Sequence, residues 1–260
     1  MEIQIQGCTI TDAHALAVNN MTAFFADPTW RLTWLNPQTG HFKPLSAIIQ
    51  TTTERMPWKM LQSRDRNRHT KAVSTQTGEL VGYARWILPS TPTKSGDAVW
   101  PEAQVPEITD PVLRQELEDR CKNADWQPRE DTHELDDELY KRNQMHKSKN
   151  DYMILDFLAV HPSHSRKGIA TKLVQRGVDI ARKLEADIYL LAFEQGLNVY
   201  KRLGFRMIDH MIQDDSPYGG EGKFGRYFFE MEVPKTEKQV QGLDQDQNQD
   251  QDQSQEQGQQ

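Results

Sequence analysis

A chain of 260 residues with six tryptophans is long enough to bury one sizeable core, and its length is a prior for one domain with additions. The formal charge of −7 argues against a nucleic-acid-binding role, which needs a basic face, and no stretch approaches the roughly 18 apolar residues of a membrane span. Two cysteines, Cys8 and Cys121, imply no disulfide framework and suit a reducing compartment.

The opening MEIQIQGCTI has no basic stretch followed by an apolar one, so no signal peptide is expected. The expected location is cytoplasmic, with nuclear access. Ile3, Ile5 and Ile10 alternate with polar residues and predict a first strand over 2–10. Thr11-Asp12 reads as a cap for a helix over 13–25, ended before Asp27-Pro28. Leu45, Ile48, Ile49 and Met56 give 44–61 helical spacing, with a break expected at Pro57. Residues 69–74 and 79–88, joined by Thr75-Gln76-Thr77-Gly78, form a hairpin signal.

Residues 89–150 are too long for an ordinary connection. They start Pro-Ser-Thr-Pro-Thr-Lys-Ser-Gly and carry two polar helical patterns, over about 110–121 and 130–146, so they read as an insertion. Its acidic excess fits a solvated, salt-bridged helical face; a lid over a cleft is the sharper alternative. Met153 to Val160 is a nearly continuous apolar run broken by Asp156, the pattern of a strand buried on both faces. A helix follows over 168–184, with Ile169, Leu173, Val174, Val178 and Ile180 near one side. A strand over 188–193, a short helix over 198–203 and strands over 205–211 and 225–233 complete the order. This predicts a mixed α/β (α+β) sheet with helices on both faces, in one domain over 1–233. Residues 234–260 hold six acids, two lysines and many glutamines, so four of the seven net negative charges sit in a tail expected to be disordered.

The chemistry lies between Leu158 and Ala170. A strand runs out, a short polar loop follows, and a helix starts at Gly168. Unpaired N–H groups and a partial positive charge make such a helix start a natural anion site. Gly168 and Ala170 let a phosphate approach the backbone closely, and Arg166 and Lys167 add positive charge at the mouth. This loop carries neither the Gly-x-x-x-x-Gly-Lys-Ser/Thr nucleotide pattern nor the Gly-x-Gly-x-x-Gly fingerprint. One strand later comes Asn198-Val199-Tyr200-Lys201-Arg202-Leu203-Gly204-Phe205, a short helix ended by a glycine.

Together these fragments resemble the GNAT superfamily of acyl-CoA-dependent N-acetyltransferases. Arg166 to Ala170 is similar to its pyrophosphate loop, written Arg/Gln-x-x-Gly-x-Gly/Ala, with Ser165 where Arg or Gln is usual. Asn198-x-Tyr200-x-x-x-Gly204-Phe205 looks like its second motif, and Leu158-Ala159-Val160 like the strand end before the loop. The likeness is specific over about 153–210 and leaves out 89–150 and the tail.

The resemblance implies a sheet of six to seven strands that splays between the fourth and fifth. Acetyl-CoA is the implied co-substrate and a primary amine the acceptor; the charge, hydropathy and histidine spacing of the chain itself lead to no nucleic acid, membrane or metal being expected. Leu158 and Val160, on either side of Ala159, would pair with the pantetheine arm. N–H groups of Arg166, Lys167, Gly168, Ile169, Ala170 and Thr171 would hold the pyrophosphate, and Asn198 would reach the pantetheine. Tyr200 would protonate the leaving thiolate, and the Val160 N–H would meet the oxyanion. A carboxylate desolvated in a strand suits a base, so Asp156 is the first candidate to take the amine's proton. A purely structural pairing of Asp156, Glu194 and a water chain are the alternatives. A small-molecule amine is slightly favoured over a peptide; a non-catalytic acyl-CoA sensor is the rival, and monomer or homodimer are both open. His161 and His164 lack a third ligand and read as solvated. Trp34 and Trp86 read as core, with an acceptor pocket as the second reading. The glycine-rich 216–222 loop reads as an exposed hairpin connection.

Overall fold

The computed structural model describes residues 1–90 and 99–235. The Ser-Thr-Pro stretch that opens the insertion and nearly all of the Gln/Asp-rich tail lie outside the described residues. Seven strands form one sheet: β1 (Ile3–Gly7), β2 (Asn67–Ser74), β3 (Leu80–Ile87), β4 (Met153–Val160), β5 (Ile188–Ala192), β6 (Arg206–Asp214) and β7 (Lys223–Met231). Their order is β1-β2-β3-β4-β5-β7-β6, and every pairing is antiparallel except β4 with β5. The predicted mixed sheet is therefore present.

Helices cover both faces. On the first, α6 (Ile169–Leu184) buries Ile169, Leu173, Val174, Val178 and Ile180 against Trp86, Met153, Leu155, Ile188 and Leu190, and α7 (Leu197–Arg202) adds Tyr200. On the second, α1 (Ala13–Phe25) and α3 (Leu45–Leu61) pack over the Tyr83 side of the sheet through Leu16, Met60 and Leu61. A one-turn helix, α2 (Pro28–Arg31), follows α1 and is capped by Asp27.

Pro57 does not break α3; it lies buried inside it. Its ring removes one helical hydrogen bond. Ile48 before it and Met60 and Leu61 after it are all buried, so the same apolar stripe continues across the proline.

The insertion supplies α4 (Pro111–Asn123) and α5 (His133–Lys147). Both are mostly exposed. Leu117 anchors α4 in the Tyr83 cluster, and Leu139 of α5 packs on Tyr152, Tyr189 and Phe228. His146 of α5 is 3% exposed and contacts Asp209 of β6 through Nε2 at 3.0 Å. The second face is thus shared between α1 with α3 over β1 to β4, and α5 over β5 to β7. Among the described residues no helix is long and apolar enough to cross a membrane.

Candidate active site

β4 and β5 stay paired for only three residues, Met153↔Ile188, Ile154↔Tyr189 and Leu155↔Leu190, and then part. On its other edge β4 carries a bulge: Trp86 faces Leu155 and Arg85 faces Phe157, so Asp156 is the extra residue. A bulge bends its strand and raises the local twist, and here it sits where the two strands separate. Beyond it β4 is not buried on both faces as the apolar run suggests. Asp156 is exposed, and Phe157, Leu158 and Val160 are half-buried, because β5 no longer flanks them.

The free edge can be assigned. The His161 N–H donates to the Val81 carbonyl at 3.2 Å. Amide groups alternate from edge to edge along a strand, so those of Val160 and Leu158 point away from β3, into the gap. A cavity of about 970 Å³ fills that gap. Leu158, Ala159 and Val160 line one wall, and Ala192 and Phe193 line the other.

At one end the cavity meets the start of α6. Gly168 caps the helix with φ 78°, a left-handed conformation that favours glycine, and a Cβ placed there would meet nothing within 4 Å. Arg166 is also left-handed at φ 60°. The Lys172 N–H closes the first helical bond to Gly168 O at 3.1 Å, so the N–H groups of Ile169, Ala170 and Thr171 precede the hydrogen-bond ladder. Arg166, Gly168, Ile169, Ala170 and Thr171 all line the cavity. The Lys167 side chain does not: its Nζ bonds Ser163 O and His164 Nδ1, each at 3.2 Å.

α7 brings the second motif to the same cavity. Gly204, at φ 90°, lets the chain turn back after the helix, and the Phe205 N–H closes on Tyr200 O at 3.1 Å. The Tyr200 ring packs against Phe205 and Phe229, with centroids 5.9 and 5.7 Å away. It is 6% exposed yet lines the cavity, and burial raises its phenol above the ordinary value. Gly196 leaves room for the ring, since a Cβ there would come within 2.8 Å of Tyr200 Cε2. Asn198, exposed, and Arg202 line the same end.

The cavity continues to the second face of the sheet. There Phe24 packs on Trp30, Phe157 and Phe193 at centroid distances of 5.6, 4.7 and 6.0 Å. Asp27 lies beside them. Its Oδ1 accepts from the Thr29 N–H at 2.9 Å, the Thr29 hydroxyl at 2.7 Å and the Trp30 N–H at 3.0 Å, and its Oδ2 from Gln195 at 2.8 Å. Asp156 is not a lone carboxylate in a strand. Arg85 of β3 binds its Oδ2 through both Nε, at 2.7 Å, and Nη2, while Oδ1 has no partner among the described residues. Asn143 and Lys147 of α5 close the wall.

The core reading of Trp34 and Trp86 and the hairpin-connection reading of 216–222 hold, and Glu194 falls away from the site. Trp34 is enclosed by Trp30 and Trp126, and Trp86 is fully buried under α6; Trp30 is the tryptophan that reaches the cavity. Glu194 is outside the lining and accepts from the Tyr227 hydroxyl at 3.4 Å. The 216–222 loop is clamped, with Asp215 Oδ1 accepting from the Gly222 N–H at 2.7 Å and Arg129 Nη1 donating to Tyr218 O at 2.8 Å. Phe24, Trp30, Asp27, Asn143 and Lys147 escaped the sequence reading because helical periodicity finds the face turned to a core, not the residues left beside a gap.

Comparison with known proteins agrees with this geometry. The family model described as "Acetyltransferase (GNAT) family" matches residues 44–205. None of the curated proteins matches the chain. Among solved structures it resembles a Corynebacterium glutamicum protein described as histone acetyltransferase HPA2 and related acetyltransferase, with 18% identity, TM-score 0.52, and 91% of this chain and 98% of that one covered. It also resembles the Drosophila melanogaster polyamine N-acetyltransferase, at 12% identity and TM-score 0.51 over 89% and 100% of the two chains. The C-terminal condensation domain of Ebony, in complex with β-alanyl-dopamine, matches at 11% identity and TM-score 0.54 over 90% and 100%. At these identities the three structures speak for the fold alone. With 162 residues from 44 to 205 matched, well over half the chain, the protein belongs to the GNAT acetyltransferase family.

Proposed function

We propose that the cleft transfers an acetyl group from acetyl-CoA directly to the primary amine of a small molecule, within one domain spanning residues 1–233. The observation that carries this reading is the parting of β4 from β5 beyond Leu155↔Leu190, which leaves the Leu158 and Val160 amides facing a cavity that reaches both Gly168 and Tyr200. The donor set fits acetyl-CoA. A pantetheine arm carries amides that can pair with a free strand edge. A diphosphate suits the N–H groups from Arg166 to Thr171, where the open space at Gly168 admits it and Arg166 adds charge.

The roles of the residues follow from their chemistry. Leu158 and Val160 hold the arm as an added strand, with Ala159 between them, and Asn198 reaches its amide end. The Val160 N–H meets the thioester oxygen as negative charge develops on it. Tyr200 gives its proton to the thiolate as the C–S bond breaks; its burial keeps that proton in place until then. Arg85 fixes Asp156 through Oδ2, which leaves Oδ1 to accept the proton of the amine. The Lys167 ammonium, held by Ser163 and His164, shapes the loop, and its backbone N–H serves the diphosphate.

A small molecule is favoured over a polypeptide because α5, through Asn143 and Lys147, walls the acceptor side of the cavity. Calorimetry should find acetyl-CoA binding to the native chain, and thiol release from acetyl-CoA should depend on an added amine. Gly168→Glu places a carboxylate and a strained side chain at the helix start, and binding should fall at least tenfold. Unchanged affinity in that variant refutes the assignment of the helix start.

A further inference from the structure

We propose that the acceptor carries a carboxylate several bonds away from its amine, and that Lys147 and Asn143 of α5 hold that carboxylate. This inference rests on the acetyl-transfer reading above and concerns the acceptor side of the same cleft.

The two residues are one helical turn apart, so they share a face of α5, and both line the cavity. α5 holds them firmly. His146, next to Lys147, is buried against Phe228 and Tyr189 and contacts Asp209, while the Asn143 carbonyl oxygen accepts from the Tyr189 hydroxyl at 2.8 Å. That bond turns the acceptor half of the Asn143 amide to the protein and leaves its NH₂ as a donor. Lys147 has no hydrogen bond or ion pair among the described residues, and Asp209 is engaged by His146 and Arg142.

The other charges on this side of the cavity are already committed. Asp156 is paired with Arg85, and Asp27 accepts four hydrogen bonds at a helix start. Lys147 is thus a lining cation on this side with no ion pair among the described residues, and a neutral donor stands beside it. Two donors suit the two oxygens of a carboxylate. A doubly charged phosphate would face a single lysine across from Asp27 and Asp156.

The strand register sets the spacing. Tyr189, which holds Asn143, pairs with Ile154 at the closed end of the V, whereas the gap begins at Asp156 and Phe157. Two to three residues of strand separate these points, about 7–10 Å. A ligand spanning them has its amine at the gap and its carboxylate on α5, which describes an ω-amino acid. Between them Ile154, Tyr189 and Phe157 form an apolar floor for a methylene chain.

The test compares molecules that differ by one carboxylate: 6-aminohexanoate against pentylamine, and lysine against cadaverine. Thiol release from acetyl-CoA is followed with the native chain and with Lys147→Met and Lys147→Arg. The carboxylated member of each pair should have the higher kcat/KM, by about tenfold, through a lower acceptor KM. Lys147→Met should bring the ratio within each pair toward one, and Lys147→Arg should keep most of it. Equal or better turnover of pentylamine and cadaverine by the native chain overturns the inference while leaving acetyl transfer standing. So does a Lys147→Met variant whose only change is a raised KM for acetyl-CoA. Absence of turnover with every amine removes the acetyl-transfer reading and this inference with it.

Discussion

Tyr200 shows how one side chain is prepared by its surroundings. The phenol sits between Phe205 and Phe229, and nothing charged touches it, so desolvation alone raises its pKa above the ordinary 10.0. The sign matters for activity. A raised phenol stays protonated throughout the ordinary assay range, so in the proposed role it can donate at every assay pH and does not titrate away below pH 10. The kcat/KM profile should rise with pH as the acceptor amine loses its proton, and should show no descending limb assignable to Tyr200 up to about pH 10. Tyr200→Phe keeps the ring packing and removes the proton; kcat should fall about a hundredfold with acetyl-CoA affinity little changed. A variant that keeps full kcat would remove Tyr200 from the reaction. The residue itself was readable from its place in Asn198-x-Tyr200-x-x-x-Gly204. Its packing was not, because Phe229 arrives from the last strand, nearly thirty residues later.

At the scale of elements, α6 must lie close to the sheet for its first turn to open on the gap. Gly177 makes that approach possible: a Cβ there would overlap the indole of Trp86, which is fully buried on β3. Gly177→Ala forces the helix or the ring to move, at a cost of about 1–3 kcal/mol. For a domain of this size that is a fall in Tm of about 3–10 °C, measurable by calorimetry. An unchanged Tm would mean that the helix and indole do not meet so closely. The apolar stripe of α6 was visible as Ile169, Leu173, Val174, Val178 and Ile180, and the structure buries all five. Gly177 carried no such signal, since a glycine inside a helical pattern is simply a poor helix former until the partner ring is known. The bulge at Asp156 was hidden for a related reason. MILDFLAV announces a strand, but which residue is left out of the ladder depends on the register chosen with β3, and β3 lies some seventy residues earlier.

At the scale of the whole molecule, the sheet separates two tasks and the gap joins them. α6 and α7 on the first face present helix-start amides and a phenol; α1, α2 and α5 on the second present an aromatic wall, Asp27 and the donors of α5. The succession of strands and helices and the glycine-led start of α6 could be read in advance because each lies in a contiguous stretch of sequence. The second-face end could not, because Phe24 and Trp30, Asn143, and Phe193 come from three distant segments and meet only once the sheet has formed. In the mechanism proposed above, amine and thioester meet in the gap with no covalent enzyme intermediate between them. Neither cysteine can intervene. Cys8 is 2% exposed beside Leu16 and Tyr83, and burial pushes its thiol well above the usual range, with Asp12 adding to the effect. Cys121 lies on α4, outside the cavity lining. Initial-rate kinetics varied in acetyl-CoA and amine should therefore give intersecting double-reciprocal lines, and a Cys8→Ala, Cys121→Ser double variant should keep kcat within about twofold. Parallel lines, or an acetyl group retained on protein freed of coenzyme, would require a covalent relay. A relay would need a nucleophile at the thioester, and the strand-end side chains there, from Leu158 to Val160 and from Ala192 to Phe193, are apolar, which leaves Asp156 and Tyr200 as the lining residues to replace if an acetyl-protein is found.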